Sequence, residues 1–123
     1  MIKVLLVDDS AIIRKAVKQF LLEEGVISVV GECSDGREVL GFLKSNQVDV
    51  ILMDVSMKYI GGIEATKLVK QKYSSIKVIG FSSHSSLDYQ NDMLTAGASG
   101  YIVKGVEIKV IRDIIKSVMK EVE

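Results

Sequence analysis

The chain of 123 residues contains no proline, one cysteine and one histidine, and its 16 basic residues are balanced by 16 acidic ones. Without proline, no X-Pro cis peptide is available to shape a turn. Cys33 has no second cysteine to pair with, so an intramolecular disulfide is excluded, and nothing in the sequence marks secretion. A formal net charge of zero provides no global attraction toward nucleic acid or an anionic membrane. The N-terminal apolar run, Ile2 to Val7, has Lys3 inside it and is too short for a signal or a membrane span. A cytoplasmic protein without a membrane partner is the expectation.

What is present is aliphatic. Many Val, Ile and Leu with few aromatics suit one compact α/β domain over residues 1–123, long enough to bury a core without staples. The organising stretch is Val50-Ile51-Leu52-Met53-Asp54-Val55, an apolar run of the kind buried on both faces of a parallel sheet, which delivers one carboxylate where it emerges. Ile2 to Val7 ends the same way, on Asp8-Asp9.

Between such runs lie amphipathic stretches. Asp9 or Ser10 can cap a helix with Ile13, Ala16, Val17, Phe20 and Leu21 inward and Arg14, Lys15 and Lys18 in water, stopped by Gly25. Val26 to Cys33 reads as a second strand, and Asp35 opens a helix carrying Val39, Leu40 and Leu43. Asp49 to Met53 is the third strand, followed by an irregular loop to Gly61-Gly62, where positive φ angles are expected. Ile63 to Tyr73 is helical, with Ala65, Leu68 and Val69 as its apolar contacts, and Ile76 to Phe81 is a strand. Ser85 or Ser86 can cap a helix running to about Ala96, with Gly97 terminating it. Gly100 to Val103 is the last strand, Lys104-Gly105 a turn, and Val106 to about Glu121 a helix with Ile108, Ile111, Ile115 and Val118 on one face. Lys109, Arg112, Lys116 and Lys120 fall on another face, a solvated one by default and otherwise a surface for an acidic partner. Five βα units in strict alternation predict a doubly wound parallel sheet of order 2-1-3-4-5, with helices on both faces and a ligand crevice between strands one and three.

Asp8, Asp9 and Asp54 would meet in that crevice. Like charges at contact distance repel by roughly 4 kcal/mol per pair at an effective dielectric near 20, so such a trio takes up protons or holds a cation. Oxygen ligands alone favour a hard ion such as Mg²⁺, which shares its shell with phosphate. Ser82 and Lys104 end strands four and five, so a hydroxyl and an ammonium face the same crevice and suit a dianionic phosphoryl group. Asp54 at its centre would be the nucleophile. Asp8-Asp9 taken alone is more often an acidic helix cap pair than a metal site.

Val4-Leu5-Leu6-Val7-Asp8-Asp9-Ser10, Asp49 to Met57, Phe81-Ser82-Ser83-His84 and Gly97-Ala98-Ser99-Gly100-Tyr101-Ile102-Val103-Lys104 together resemble the receiver domains of two-component response regulators, over essentially the whole chain. The resemblance implies a flavodoxin-like fold and a signalling switch that catalyses only its own phosphorylation and dephosphorylation. It implies that Asp54 is the phosphoacceptor, that Asp8, Asp9, Asp54 and the Ser56 backbone carbonyl hold Mg²⁺, and that Lys104 pairs with the phosphoryl group. Ser82 would be the switch hydroxyl and Tyr101 the switch aromatic. The implied partners are a sensor histidine kinase and a downstream effector protein or output domain, with weak homodimerisation on activation and no direct nucleic-acid binding by this domain.

Three positions depart from that pattern. Lys58 and Gly61 stand where receivers commonly carry proline and aspartate, which is expected to loosen the loop beside Asp54. Gly105 follows Lys104 where many relatives have proline or a polar residue. A trans peptide is expected there, because a non-proline cis bond costs about 2.5–4 kcal/mol, with a locally altered approach of Lys104. His84 has two readings, tuning of water or proton access and a plain capping or loop histidine, while Cys33 reads as a small buried residue and Tyr59 and Tyr89 as surface residues. Other functions stay open: the receiver part of a longer DNA-binding regulator, a degenerate receiver that works without phosphorylation, and a small Mg²⁺-dependent phosphohydrolase. The last normally needs a second carboxylate two residues after the nucleophile, where this chain has Ser56.

Overall fold

Residues 1–57 and 59–120 are described by the structure, a computed structural model. The alternation resolves into β1 (Ile2–Val7), α1 (Ala11–Leu21), β2 (Ile27–Cys33), α2 (Gly36–Ser45), β3 (Val50–Met53), α3 (Gly62–Lys72), β4 (Lys77–Ser82), α4 (Leu87–Ala96), β5 (Gly100–Val103) and α5 (Ile108–Lys120). All neighbouring strands pair in parallel, in the order β2-β1-β3-β4-β5, as the alternation predicts.

Strand residues alternate between two cores. Val4, Leu6, Val50, Leu52, Ile79, Phe81 and Ile102 pack with Val17 and Leu21 of α1 and Ile111, Ile115 and Val118 of α5. Leu5, Val7, Ile51, Met53 and Val78 pack with Val39 and Leu43 of α2, Ala65 and Val69 of α3 and Met93 of α4. Each fully buried Leu, Ile or Met contributes about 1.5–3 kcal/mol. Register is therefore strongly specified, because a one-residue slip would exchange the two cores.

Local signals set the helix ends. Ser10, Asp35 and Ser86 cap α1, α2 and α4 by accepting from the backbone N–H of Ile13, Arg37 and Asp88. Gly97, at φ 116°, closes α4 in the left-handed region. Gly25 does not end α1 directly, since a single 3₁₀ turn, Leu22–Glu24, follows Leu21 before Gly25 turns the chain at φ 69°.

The loop after β3 differs from expectation. Neither Gly61 nor Gly62 has positive φ; that conformation falls on Tyr59, at φ 63°. Gly61 is the extended N-cap of α3, and Gly62 is required for space, because a Cβ there would stand 2.1 Å from the Asp54 carbonyl oxygen. Tyr59 holds a conformation uncommon for a bulky residue with its ring 3.4 Å from the Arg37 guanidinium carbon. Lys58 lies outside the described residues, and so does the part of the loosening expectation that rests on it. The peptide at Gly105 is trans, with φ 102°, a conformation that proline cannot adopt.

Four surface assignments also change. Arg14, expected in water, is only 17% exposed at its side chain, whereas Ala16, expected inside, is exposed. Arg112 and Lys116 are half-buried rather than solvated, and the Arg112 guanidinium lies 5.7 Å from the centre of the Phe20 ring. The side chain of Ile108, assigned to the apolar face of α5, is outside the described set, while Ile111, Ile115 and Val118 are buried as expected.

Candidate functional site

The sheet register builds the site. The Asp8 N–H donates to the Cys33 carbonyl, the Asp54 N–H to Val7 and the Lys104 N–H to Ser82, so each functional residue is the first beyond its strand at the carboxyl edge. Asp8, Asp9 and Asp54 offer carboxylate oxygens that all lie within 4.8 Å of one another. Asp8 and Asp54 are each 4% exposed, and Asp9 is at the surface.

Lys104 enters from β5. Its Nζ lies 2.8 Å from Asp8 Oδ2 and 3.5 Å from Asp54 Oδ1. The shorter contact is an ion pair that places the Lys104 charge directly on the buried Asp8 Oδ2. Asp8 Oδ1 accepts from the Ser10 N–H at 2.9 Å. One lysine, paired with Asp8 and Asp54, thus stands against a cluster of three carboxylates. Burial raises the Asp54 carboxyl from 3.8 to about 6, the Asp8 charge adds to the rise, and Lys104 and the Ser56 N–H oppose it. This donor set, hard, anionic and only partly neutralised, fits a divalent cation with oxygen preference.

Ser82 is fully buried at the adjacent strand end, and its Oγ accepts from the His84 N–H at 3.0 Å. Among the described residues no hydrogen bond links Ser82 to the acidic trio. Tyr101 donates its hydroxyl to the His84 carbonyl at 2.6 Å, and its ring lies over Gly80, where a Cβ would stand 2.7 Å from Tyr101 Cδ1. The sequence reading passed over Gly80, although a glycine inside a strand is a recognised mark of close approach. His84 Nε2 lies 2.9 Å from Ser56 Oγ, and the imidazole stacks on Tyr89 with ring centres 4.4 Å apart. The ring thus links the loop after β3 to α4. Cys33 is buried, and desolvation aided by the Glu38 and Asp35 charges pushes its thiol up to about 11, which leaves it an unreactive thiol.

The model of the response regulator receiver domain matches residues 4–116. The chain belongs to the response regulator receiver family. Response regulator UvrY of Escherichia coli (strain K12) is 38% identical over 118 residues, 96% of this chain and 54% of UvrY. Transcriptional regulatory protein LiaR of Bacillus subtilis (strain 168) is 38% identical over 120 residues, 98% of this chain and 57% of LiaR. The receiver thus spans about half the length of these curated relatives. A crystal structure of a two-component response regulator, LuxR family, from Aurantimonas sp. SI85-9A1 superposes with a TM-score of 0.92 at 26% identity, covering 97% of this chain and 85% of that one. Receiver domains are phosphorylation-dependent signalling switches that bind Mg²⁺ at an acidic pocket, and this receiver has such a pocket in Asp8, Asp9 and Asp54. No helix among the described residues is long and apolar enough to cross a membrane.

Proposed function

We propose that residues 1–123 form one receiver domain in which Asp54 is the phosphoacceptor. An oxygen of the Asp54 carboxylate attacks phosphorus, the bond from phosphorus to the donor's leaving atom breaks, and the leaving group departs with the bonding pair. The donor is a sensor histidine kinase, and the protein turns over no metabolite. Asp8, Asp9, Asp54 and the Ser56 carbonyl would hold Mg²⁺, which when bound supplies positive charge to the phosphoryl oxygens. Lys104, already between Asp8 and Asp54, pairs with the same oxygens once the phosphoryl group arrives. Ser82 gives up the His84 N–H and turns its hydroxyl toward the phosphoryl group, and Tyr101, tied to the His84 carbonyl, carries that change to the surface of α4, β5 and α5.

The observation that supports this most directly is the convergence of three carboxylates and Lys104 at the carboxyl edge, where one ammonium stands against three acidic groups. The changed surface acts on a downstream effector or an output domain, in the cytoplasm, with weak self-association on activation. An output domain that binds DNA is favoured by relatives about twice as long, one of them named a transcriptional regulatory protein. The receiver itself makes no contact with nucleic acid.

The test is incubation with Mg²⁺ and acetyl phosphate or beryllofluoride, read by intact mass and NMR, beside Asp54→Asn. A Mg²⁺-dependent adduct or spectral change that is lost in Asp54→Asn is expected. A protein that binds neither Mg²⁺ nor the phosphoryl donor nor its mimic would be a receiver working without phosphorylation.

A further inference from the structure

The two acidic residues of the β1 to α1 turn are held very differently. Asp8 is buried, with its N–H on Cys33 and its Oδ1 on Ser10. Asp9 is exposed, and no hydrogen bond among the described residues restrains its carboxylate. Its position therefore depends on the two peptides that flank it: the one after it is tied to Asp8 Oδ1 through the Ser10 N–H, and the one before it joins it to Asp8. That peptide is one rigid plane, so whatever fixes the Asp8 carbonyl fixes the plane from which Asp9 projects.

Arg14 fixes it. From the first turn of α1, Arg14 Nη1 donates to the Asp8 carbonyl, while its Nε donates to Glu32 Oε1 of β2 at 3.0 Å. The Arg14 N–H closes the turn by donating to the Ser10 carbonyl at 3.1 Å. A planar guanidinium presents these two donors in a fixed fork, which a lysine ammonium cannot reproduce from one point. Its charge is already matched by Glu32, with Lys18 Nζ a further 3.8 Å from the other Glu32 oxygen.

We propose that Arg14 is a positioning residue for the acidic pair: by clamping the Asp8 carbonyl to Glu32 it sets the direction in which Asp9 meets a divalent cation. This rests on the reading of Asp8, Asp9 and Asp54 as a Mg²⁺ site. Two effects of Arg14 oppose each other and can be separated. A bystander cation near an acidic site weakens Mg²⁺ binding, so its removal would tighten it; a clamp does the reverse. Residues behind metal ligands typically change affinity by about 10–100-fold when replaced.

The experiment is calorimetric titration of the metal-free protein with Mg²⁺ at fixed pH and ionic strength, for the native chain, Arg14→Gln, Arg14→Lys and Asp9→Asn, with thermal melting in the absence of Mg²⁺ as a check of folding. Weakening of about tenfold is expected in Arg14→Gln, and a clear loss in Arg14→Lys despite its retained charge, together with a shifted Asp9 amide resonance in the metal-free protein. Equal or tighter binding in Arg14→Gln, or full affinity in Arg14→Lys, overturns the proposal. If Arg14→Gln does not fold, Arg14→Lys alone decides. A native chain that binds no Mg²⁺ instead removes the metal site itself, a result distinct from an Arg14 variant that binds as well as the native chain.

Discussion

An ionised carboxylate is costly to keep where Asp54 stands. Burial raises its pKa to about 6 from 3.8, with the Asp8 charge as the next cause, even with Lys104 beside it. The sign of the consequence follows from linkage. Below the unfolded value the group is neutral in both states and costs nothing. Between 3.8 and about 6 the unfolded chain ionises first, so metal-free stability falls as pH rises, and above that window the full cost remains. Asp54→Asn removes the charge with little change of shape. In metal-free protein near pH 7.5 it is expected to be more stable than the native chain, on the order of 1–3 kcal/mol from a shift of this size, with the advantage gone below about pH 4. Urea denaturation across that range checks this, and a less stable Asp54→Asn at neutral pH would contradict it.

Elements place these residues, and glycines show how tightly. Gly41 and Gly62 both lie in helices, α2 and α3. A Cβ at Gly41 meets nothing within 4 Å, whereas at Gly62 it meets the Asp54 carbonyl oxygen at 2.1 Å. The same substitution should therefore act with opposite sign. Gly41→Ala is expected to stabilise by about 0.5–1 kcal/mol through helix propensity. Gly62→Ala is expected to destabilise by about 1–3 kcal/mol through overpacking against backbone and to slow formation of the proposed Asp54 adduct, because α3 must move away from Asp54. Chemical denaturation of both variants, with adduct formation for the second, measures the contrast, and a stabilised Gly62→Ala would refute the close-approach role. Much of this level was legible in advance: strands, caps and the carboxyl-edge placement of Asp8, Asp54, Ser82 and Lys104 all follow from patterns within short windows. The role of Gly62 did not, because its neighbour, the Asp54 carbonyl, is met only once the β3 to α3 loop has closed.

At the scale of the whole molecule, a parallel sheet sets one acidic edge between two separate cores, and the fold tolerates the repulsion there by the surplus of apolar burial elsewhere. A cation that binds this edge in the folded state alone must raise stability by mass action. Mg²⁺ at about one hundred times its dissociation constant is expected to add about 2.7 kcal/mol, and the gain should shrink sharply in Asp54→Asn. Thermal melting with and without Mg²⁺ reads this directly, with Ca²⁺ as a comparison for the looser geometry that ion accepts. An unchanged midpoint at saturating Mg²⁺ would mean that the edge binds no cation.

The order of apolar and amphipathic runs, together with carboxylates at the ends of Ile2 to Val7 and Val50 to Met53, determined the sheet order and the meeting of Asp8, Asp9 and Asp54, because hydrophobic period and strand ends are properties of neighbours along the chain. Tertiary structure alone decided that Arg14 turns inward to the Asp8 carbonyl, that Tyr59 rather than a glycine takes positive φ against Arg37, that Tyr101 lies over Gly80, and that His84 reaches Ser56. Each of these joins groups on different elements, and a polar side chain commits to one partner among several only when packing has fixed the distance and direction between them.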